Sequence, residues 1–356
     1  LINNGRFQNM SGSLNVSGVL TNNGEFAVNS GSMNALSGII QELGVFTCGT
    51  GQVNTLGTLT INNGSFNCAS GIVVVSGSIN QNGGILNGNT SGGSLVISQN
   101  FNQNSGIFHG QTGTMSIGSS LNMSGTFVRG TGTVNFNGFG PQTVPALHYN
   151  KLSIAGSGRL ITLAPGEIKI GAATGGFNPH VSNLYTTANN TINYNNNGNQ
   201  DITGFVYNNL TVSRIGTKSI IANTSVKNTL EVLNSAVLDA DGINNNKVMT
   251  LLSSQSLTAR IERIPSTASI SGNMTVQRWT RGGIRSNRFF GSPVDTIGGI
   301  KFKQVKDNIL LYGPGNGLNG WDNPTLFTTN VFVYNESLLN GYEWRSPAST
   351  SEVLPK

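Results

Sequence analysis

Acid–base work on a sugar or an ester needs carboxylates, histidines or thiols gathered at one place, and this chain has few to gather. Residues 1–140 contain no aspartate, no lysine and two glutamates, Glu25 and Glu42, which are 17 residues apart. The histidines, His109, His148 and His180, share no metal-ligand spacing, and two cysteines, Cys48 and Cys68, cannot make a four-cysteine zinc site. Asp239 and Asp241 precede a Gly-Ile-Asn turn and could bind a cation, but carboxylates at a turn more often act as solvent-facing caps. The glycine-rich stretch 313–317 lacks the Lys and Ser/Thr of a phosphate loop. No catalytic centre, metal or cofactor is expected.

One window is basic. Between residues 260 and 306 nine cations face only Glu262 and Asp295, a net charge of +7 in a chain that totals +6. Trp279, Phe289 and Phe290 lie in this window, a pattern that could suggest nucleic acid. The alternation of Arg278 and Thr280 around Trp279 instead fits one solvated strand face, so no nucleic-acid partner is expected. All three tryptophans, Trp279, Trp321 and Trp344, fall after residue 260, and that part reads as a separate β-rich domain.

The scaffold that must position these groups is written as a repeat. Phe7, Phe26, Phe46, Phe66, Leu86, Phe108 and Phe127 each follow a glycine by two residues and recur at steps of 19, 20, 20, 20, 22 and 19. An independent glycine series, Gly12, Gly31, Gly51, Gly71, Gly93, Gly113 and Gly132, keeps the same beat. After each of these glycines an alternating pair such as Leu14/Val16 or Val73/Val75 points to one face. A third short strand carries Val19, Ile39, Leu59, Ile79, Phe101 and Leu121. A 20-residue unit cannot bury its own apolar side, whereas stacked units can, so the pattern predicts a parallel β-solenoid with an interior phenylalanine ladder.

Composition agrees. Charged residues make up 10% of the chain, and Gly, Asn, Ser and Thr fill the surface instead. Asparagine at the Asn-Asn-Gly corners suits tight turns, and stacked amides can satisfy one another, so a structural role is favoured over sugar binding. No run of 18 apolar residues exists, so no transmembrane segment is expected. Glu25 and Glu42 fall in different registers of the repeat, which argues against a sugar-cleaving site in the solenoid. Cys48 and Cys68 share a register one rung apart. Their separation falls within disulfide range, but parallel stacking points both Cβ atoms the same way and favours stacked core thiols.

Beyond residue 140 the beat fades. Gln142, Tyr149, Asn150, Leu152 and Ile154 recur 58 residues later as Gln200, Tyr207, Asn208, Leu210 and Val212, which predicts an irregular continuation of the solenoid over 141–259. The asparagine-rich stretch 189–199 is expected to be a surface loop. The fold class is therefore all-β: a regular solenoid over 1–140, its continuation over 141–259, and a basic, aromatic-containing, β-sandwich-like domain over 260–356.

The rungs, the Tyr149 and Tyr207 motif, and the runs Ile270-Ser-Gly-Asn-Met-Thr-Val-Gln-Arg278 and Arg288-Phe-Phe-Gly-Ser-Pro293 resemble large Gly/Asn-rich surface proteins secreted by Bacteroidetes. That family's Gly-x-Val-Thr-Val-x-Arg strand, followed by an aromatic strand ending in Ser-Pro-Val, maps onto Gly272, Met274, Val276, Arg278, Phe289, Ser292, Pro293 and Val294. Val333-Tyr-Asn-Glu336 and Gly341-Tyr-Glu-Trp344 are similar to it. The resemblance covers most of the chain, by motif after residue 270 and by composition before residue 140. It implies export by the type IX secretion system, with the chain as cargo of its outer-membrane machinery and an extracellular or cell-surface location. Because the family pattern runs on past the Trp344 region to a sorting domain not visible here, the chain reads as truncated. Asp295-Thr-Ile resembles the short O-glycosylation motif of that phylum, with Thr296 as acceptor.

Together these features predict a non-catalytic structural or adhesive surface protein that touches glycans or other surface proteins through uncharged faces without steep salt dependence. The alternative is a carbohydrate-binding or carbohydrate-active module within 260–356, where Trp321 and Trp344 would stack on sugars.

Overall fold

The computed structural model describes residues 1–88, 92–279, 298–306, 310–322, 329–335 and 344–354. The chain winds into a parallel β-solenoid of about 12 turns with roughly 20 residues per rung. Each early rung contributes one strand to each of three sheets. The first sheet stacks Ile2–Asn3, Leu20–Asn22, Gly38–Gln41 and their successors to Leu121–Met123. The second stacks Arg6–Asn9 through Thr126–Val128, and the third runs from Ser13–Val16 to Phe177–Pro179.

The phenylalanine ladder is the second sheet's inner column. Phe7, Phe26, Phe46, Phe66, Leu86, Phe108 and Phe127 pair rung to rung in register. The rings of Phe7, Phe26, Phe46 and Phe66 stack with centroids 4.7, 5.0 and 4.7 Å apart, and Phe108 stacks on Phe127 at 5.4 Å. Inter-strand spacing sets this distance, so a ring at every rung reaches stacking contact without adjustment. Glycine at the corners allows the turns to nest. A Cβ on Gly51 would lie 1.7 Å from the Gly31 carbonyl oxygen of the rung beneath.

The third-strand series differs at its first member. Leu20, not Val19, pairs with Ile39 and is buried, while Val19 is exposed. The first rung is one residue short of 20, so counting back 20 from Ile39 lands one position early and on the opposite face.

Cys48 and Cys68 are free thiols, fully buried in the same core as the Phe ladder. Burial pushes the Cys68 thiol up to about 12 and Cys48 well above its ordinary value, with the Cys68 neighbour raising Cys48 further. Both should ignore a thiol reagent at pH 8 in the native protein and react fully in denaturant; one equivalent of native labelling would contradict this. The folded state holds these protons more tightly than the unfolded chain. Stability from the thiols is therefore complete below about pH 8.5 and declines as pH rises from there toward about 12.

The solenoid continues past residue 140 on three further ladders. Gln142–Val144, Leu160–Leu163 and Leu184–Thr186 form one. A second contains Gln200–Ile202, Gly216–Ile220, Ala236–Asp239 and Ser269–Ser271. The third starts at His148–Tyr149 and ends at Met274–Val276. The composition change at residue 260 is not where the stack stops: Ser269–Ser271 and Met274–Val276 still pair in parallel with the rungs before them, and the first compact unit extends to Thr280.

The stretch 189–199 is not a surface loop throughout. Asn190–Tyr194 is a strand with Ile192 and Tyr194 in the core, and Asn190, Asn193 and Asn195 are buried. Asparagine masks the period-two alternation there. The Asn190 amide donates to the Ala164 and Gly166 carbonyls, which is how a polar residue is accommodated inside.

The second unit spans 281–356. Its described residues pack Phe302, Leu311, Trp321 and Leu354 into a small core, with a one-turn helix Phe302–Lys306 and an antiparallel pair, Val333–Tyr334 with Trp344–Arg345. Of the sandwich-like domain expected there, this pair is the extended strand structure among the described residues.

Candidate functional site

The outer surface of the early solenoid repeats as regularly as its core. On the third sheet Asn34 donates to Asn15 and Asn54 to Asn34, at 2.8 and 2.9 Å. On the first sheet Asn102 donates to Asn80 and Asn122 to Asn102, at 2.9 and 2.8 Å. At the corner between the first two sheets Asn62 donates to Glu42, Asn82 to Asn62 and Asn104 to Asn82. Each amide in such a column spends one N–H and one lone pair on its neighbours and keeps the others for what lies outside. The result is an uncharged donor and acceptor array at rung spacing.

The glutamates take structural partners. Glu25 pairs with Arg6 at 3.3 Å, both largely exposed, and Glu42 ends the corner column. Asp241 is not the solvent-facing cap expected. It is buried, and its Oδ2 accepts the Asn273 backbone N–H from a later rung at 2.9 Å. Among the described residues no three His, Cys, Asp or Glu side chains come together as metal ligands.

The aromatic candidates separate. Trp321 is 2% exposed and packs against Phe302 with centroids 6.0 Å apart, so it cannot offer a face to a sugar. Its indole fills the small core of a segment with few other large side chains, which is why burial wins. Trp344 is exposed and lies 4.9 Å from the Tyr334 ring. Trp279 is also exposed and its backbone N–H donates to Ser253 Oγ. Thr296 and the Phe289 to Val294 part of the family pattern lie outside the described residues.

The sequence reading missed a set of interior polar posts. Gln81 Nε2 donates to the Gly84 and Ile107 carbonyls, and Gln103 Nε2 to Gly106 and Thr126. Gln41 and Asn22 occupy the same column two and three rungs before Gln81, with Ile61 on the rung between, and bond to each other at 2.9 Å. Later, Gln142 donates to Ile117 and Ser119, and Gln200 in the same way to Ile170 and Ala172. The matched tyrosines act alike too, Tyr149 donating to the Pro145 carbonyl and Tyr207 to that of Thr203, four residues back. The 58-residue echo is thus a structural module, a glutamine post followed by a tyrosine tie.

No protein-family model, curated protein or solved structure matches this chain.

Proposed function

We propose that this chain is an extracellular, surface-associated structural and adhesive protein, with the solenoid as a stiff, non-catalytic stalk. The observation that carries this reading is the outer face of the first seven rungs, an in-register array of uncharged amides and hydroxyls in which the two acids, Glu25 and Glu42, are tied to Arg6 and Asn62. Such a surface hydrogen-bonds hydroxyl-rich partners with little dependence on salt. Export as type IX secretion cargo follows from the resemblance in the Gly272 to Val294 region and belongs to the same proposal.

The test is protease treatment of intact source cells. Release of peptides from residues 1–279 into the medium is the expected result, and a protein recovered untouched in the cytosolic fraction overturns the reading.

A second reading, glycan binding within 260–356, keeps one of its two tryptophans. The exposed Trp344 beside Tyr334 is a platform on which a sugar ring can stack. Under this reading Trp344→Ala lowers retention on an immobilised glycan by about tenfold, the scale of one lost aromatic contact; unchanged retention removes it.

A further inference from the structure

Charge is scarce along the early rungs, yet the fold collects three cations at one corner of the later solenoid. His148, Lys169, Asn193 and Thr211 succeed one another in register along the sheet that starts at His148–Tyr149. Two residues further on, the rung ends carry Asn150, Gly171, Asn195 and Ser213, joined by backbone bonds from Gly171 to Tyr149, Asn195 to Ile170 and Ser213 to Tyr194. Gly171 leaves a gap in this row, and Arg129 from an earlier rung fills it. A Cβ on Gly171 would sit 2.4 Å from Arg129 Nη1 and 3.0 Å from its Cζ. The guanidinium thus lies across the row and donates to Asn150 Oδ1 at 3.2 Å.

Arg214 follows Ser213 with a positive φ of 66°, a conformation that a non-glycine residue adopts at a cost. Arg129, Lys169 and Arg214 all bear on the His148 ring and, after burial, are what hold its pKa down to about 4; the Asn195 side chain opposes them. The acid nearby is Glu167, ion-paired with Lys169 at 3.1 Å and bonded to the Asn193 amide. Glu231, held by Thr211, is three rungs beyond Lys169. Among the described residues neither Arg129 nor Arg214 meets a carboxylate, and both are exposed. His148 Nε2 and Asn195 Oδ1 are both buried in this corner.

Like charges so placed repel, and among the described residues neither exposed arginine has a carboxylate partner to offset this. An anion does. We propose that this corner binds an oxyanion, the sulfate or carboxylate of an acidic glycan or a free inorganic oxyanion, between the Arg129 and Arg214 guanidiniums with Lys169 beside them. Planar guanidiniums match two oxygens of such a group. The free-oxyanion form is independent of the adhesive reading, whereas the acidic-glycan form rests on it.

The experiment titrates the whole chain with sodium sulfate at ionic strength held constant with sodium chloride, and follows the histidine ring resonances by NMR. His148 should shift saturably, with its pKa moving up toward 6.5 as the bound anion offsets the three cations, while His109 and His180 stay still. R129Q and R214Q should each weaken the apparent affinity by about tenfold, the worth of one charge-assisted contact, and R129K and R214K by less. A second arm replaces sulfate with a sulfated hexasaccharide and with its desulfated form. Tighter binding of the sulfated sugar than of free sulfate assigns the corner to acidic glycans; equal binding assigns it to the free ion and leaves the adhesive reading to stand on its own test. A shift that chloride reproduces, or one unchanged in both Arg→Gln variants, overturns the proposal.

Discussion

Phe46→Ala is expected to destabilise the rungs around it by about 4 kcal/mol, the cost of a large cavity in a close-packed core. Phe46 is fully buried, and its ring is in stacking contact on both sides, at 5.0 Å from Phe26 and 4.7 Å from Phe66. Truncation removes the transfer energy of the ring and two aromatic contacts worth about 0.5–1.5 kcal/mol each. The backbone cannot collapse to close the gap, because the parallel ladder fixes the rung spacing. Phe7→Ala is the control. Phe7 is half-buried and stacks on Phe26 alone, so about 1 kcal/mol is expected there.

A solenoid is stabilised rung by rung through its neighbours, so the loss at Phe46 should be local. Hydrogen exchange should quicken in Val45–Thr47 and Ser65–Asn67 and leave Lys151–Ile154 unchanged, while urea melts report the total. Equal losses at Phe46 and Phe7 would mean that the ladder adds nothing beyond ordinary burial.

The ladder was legible because it obeys two rules at once, a fixed step and an apolar residue at each step. What was not legible breaks one of them. Leu20 kept the chemistry but sits in a rung of 19 residues, so a step of 20 selected Val19. Asn190 to Tyr194 kept the strand but placed amides at buried positions, and low complexity hid the alternation of Ile192 and Tyr194. The interior glutamines break the apolar rule altogether. They were nevertheless readable in principle, since Gln41, Gln81 and Gln103 each stand three residues before a glycine of the Phe-ladder series, Gly44, Gly84 and Gly106. The physical reason is the corner itself: a tight turn directs carbonyl groups inward, and a side-chain donor placed three residues earlier reaches them. Trp321 and Trp344 have the same composition context, and only packing tells the buried one from the exposed one. The oxyanion corner draws Arg129, Lys169 and Arg214 from separate rungs, and no local spacing brings these residues together until the winding of the later rungs is known.

The same need for donors at corners explains two buried cations, and Lys218 is the sharper test. It is fully buried, in register with Gln200 on the rung before, and its Nζ donates to the carbonyls of Asn196, Gly198 and Ile215 at 2.8, 2.5 and 3.2 Å. Arg159 does the equivalent work one module earlier, donating to the Gly138 and Phe136 carbonyls and to Gln142 Oε1. Burial and then the Arg214 charge bring Lys218 down to about 8, so at neutral pH the ammonium still supplies three donors to three carbonyls. Lys218→Met keeps the aliphatic stem and strips those carbonyls of their donor. The ammonium's own desolvation cost offsets part of the three lost charge-assisted bonds, and about 3 kcal/mol of destabilisation should remain. Lys218→Gln should recover about half of it, because Gln200 shows that a carboxamide in this column can hold two corner carbonyls. Urea denaturation of the three proteins gives the order. A Met variant as stable as the parent would mean that the lysine's desolvation cancels its bonds, that water can take over the corner carbonyls, and that the glutamine posts are dispensable for the same reason.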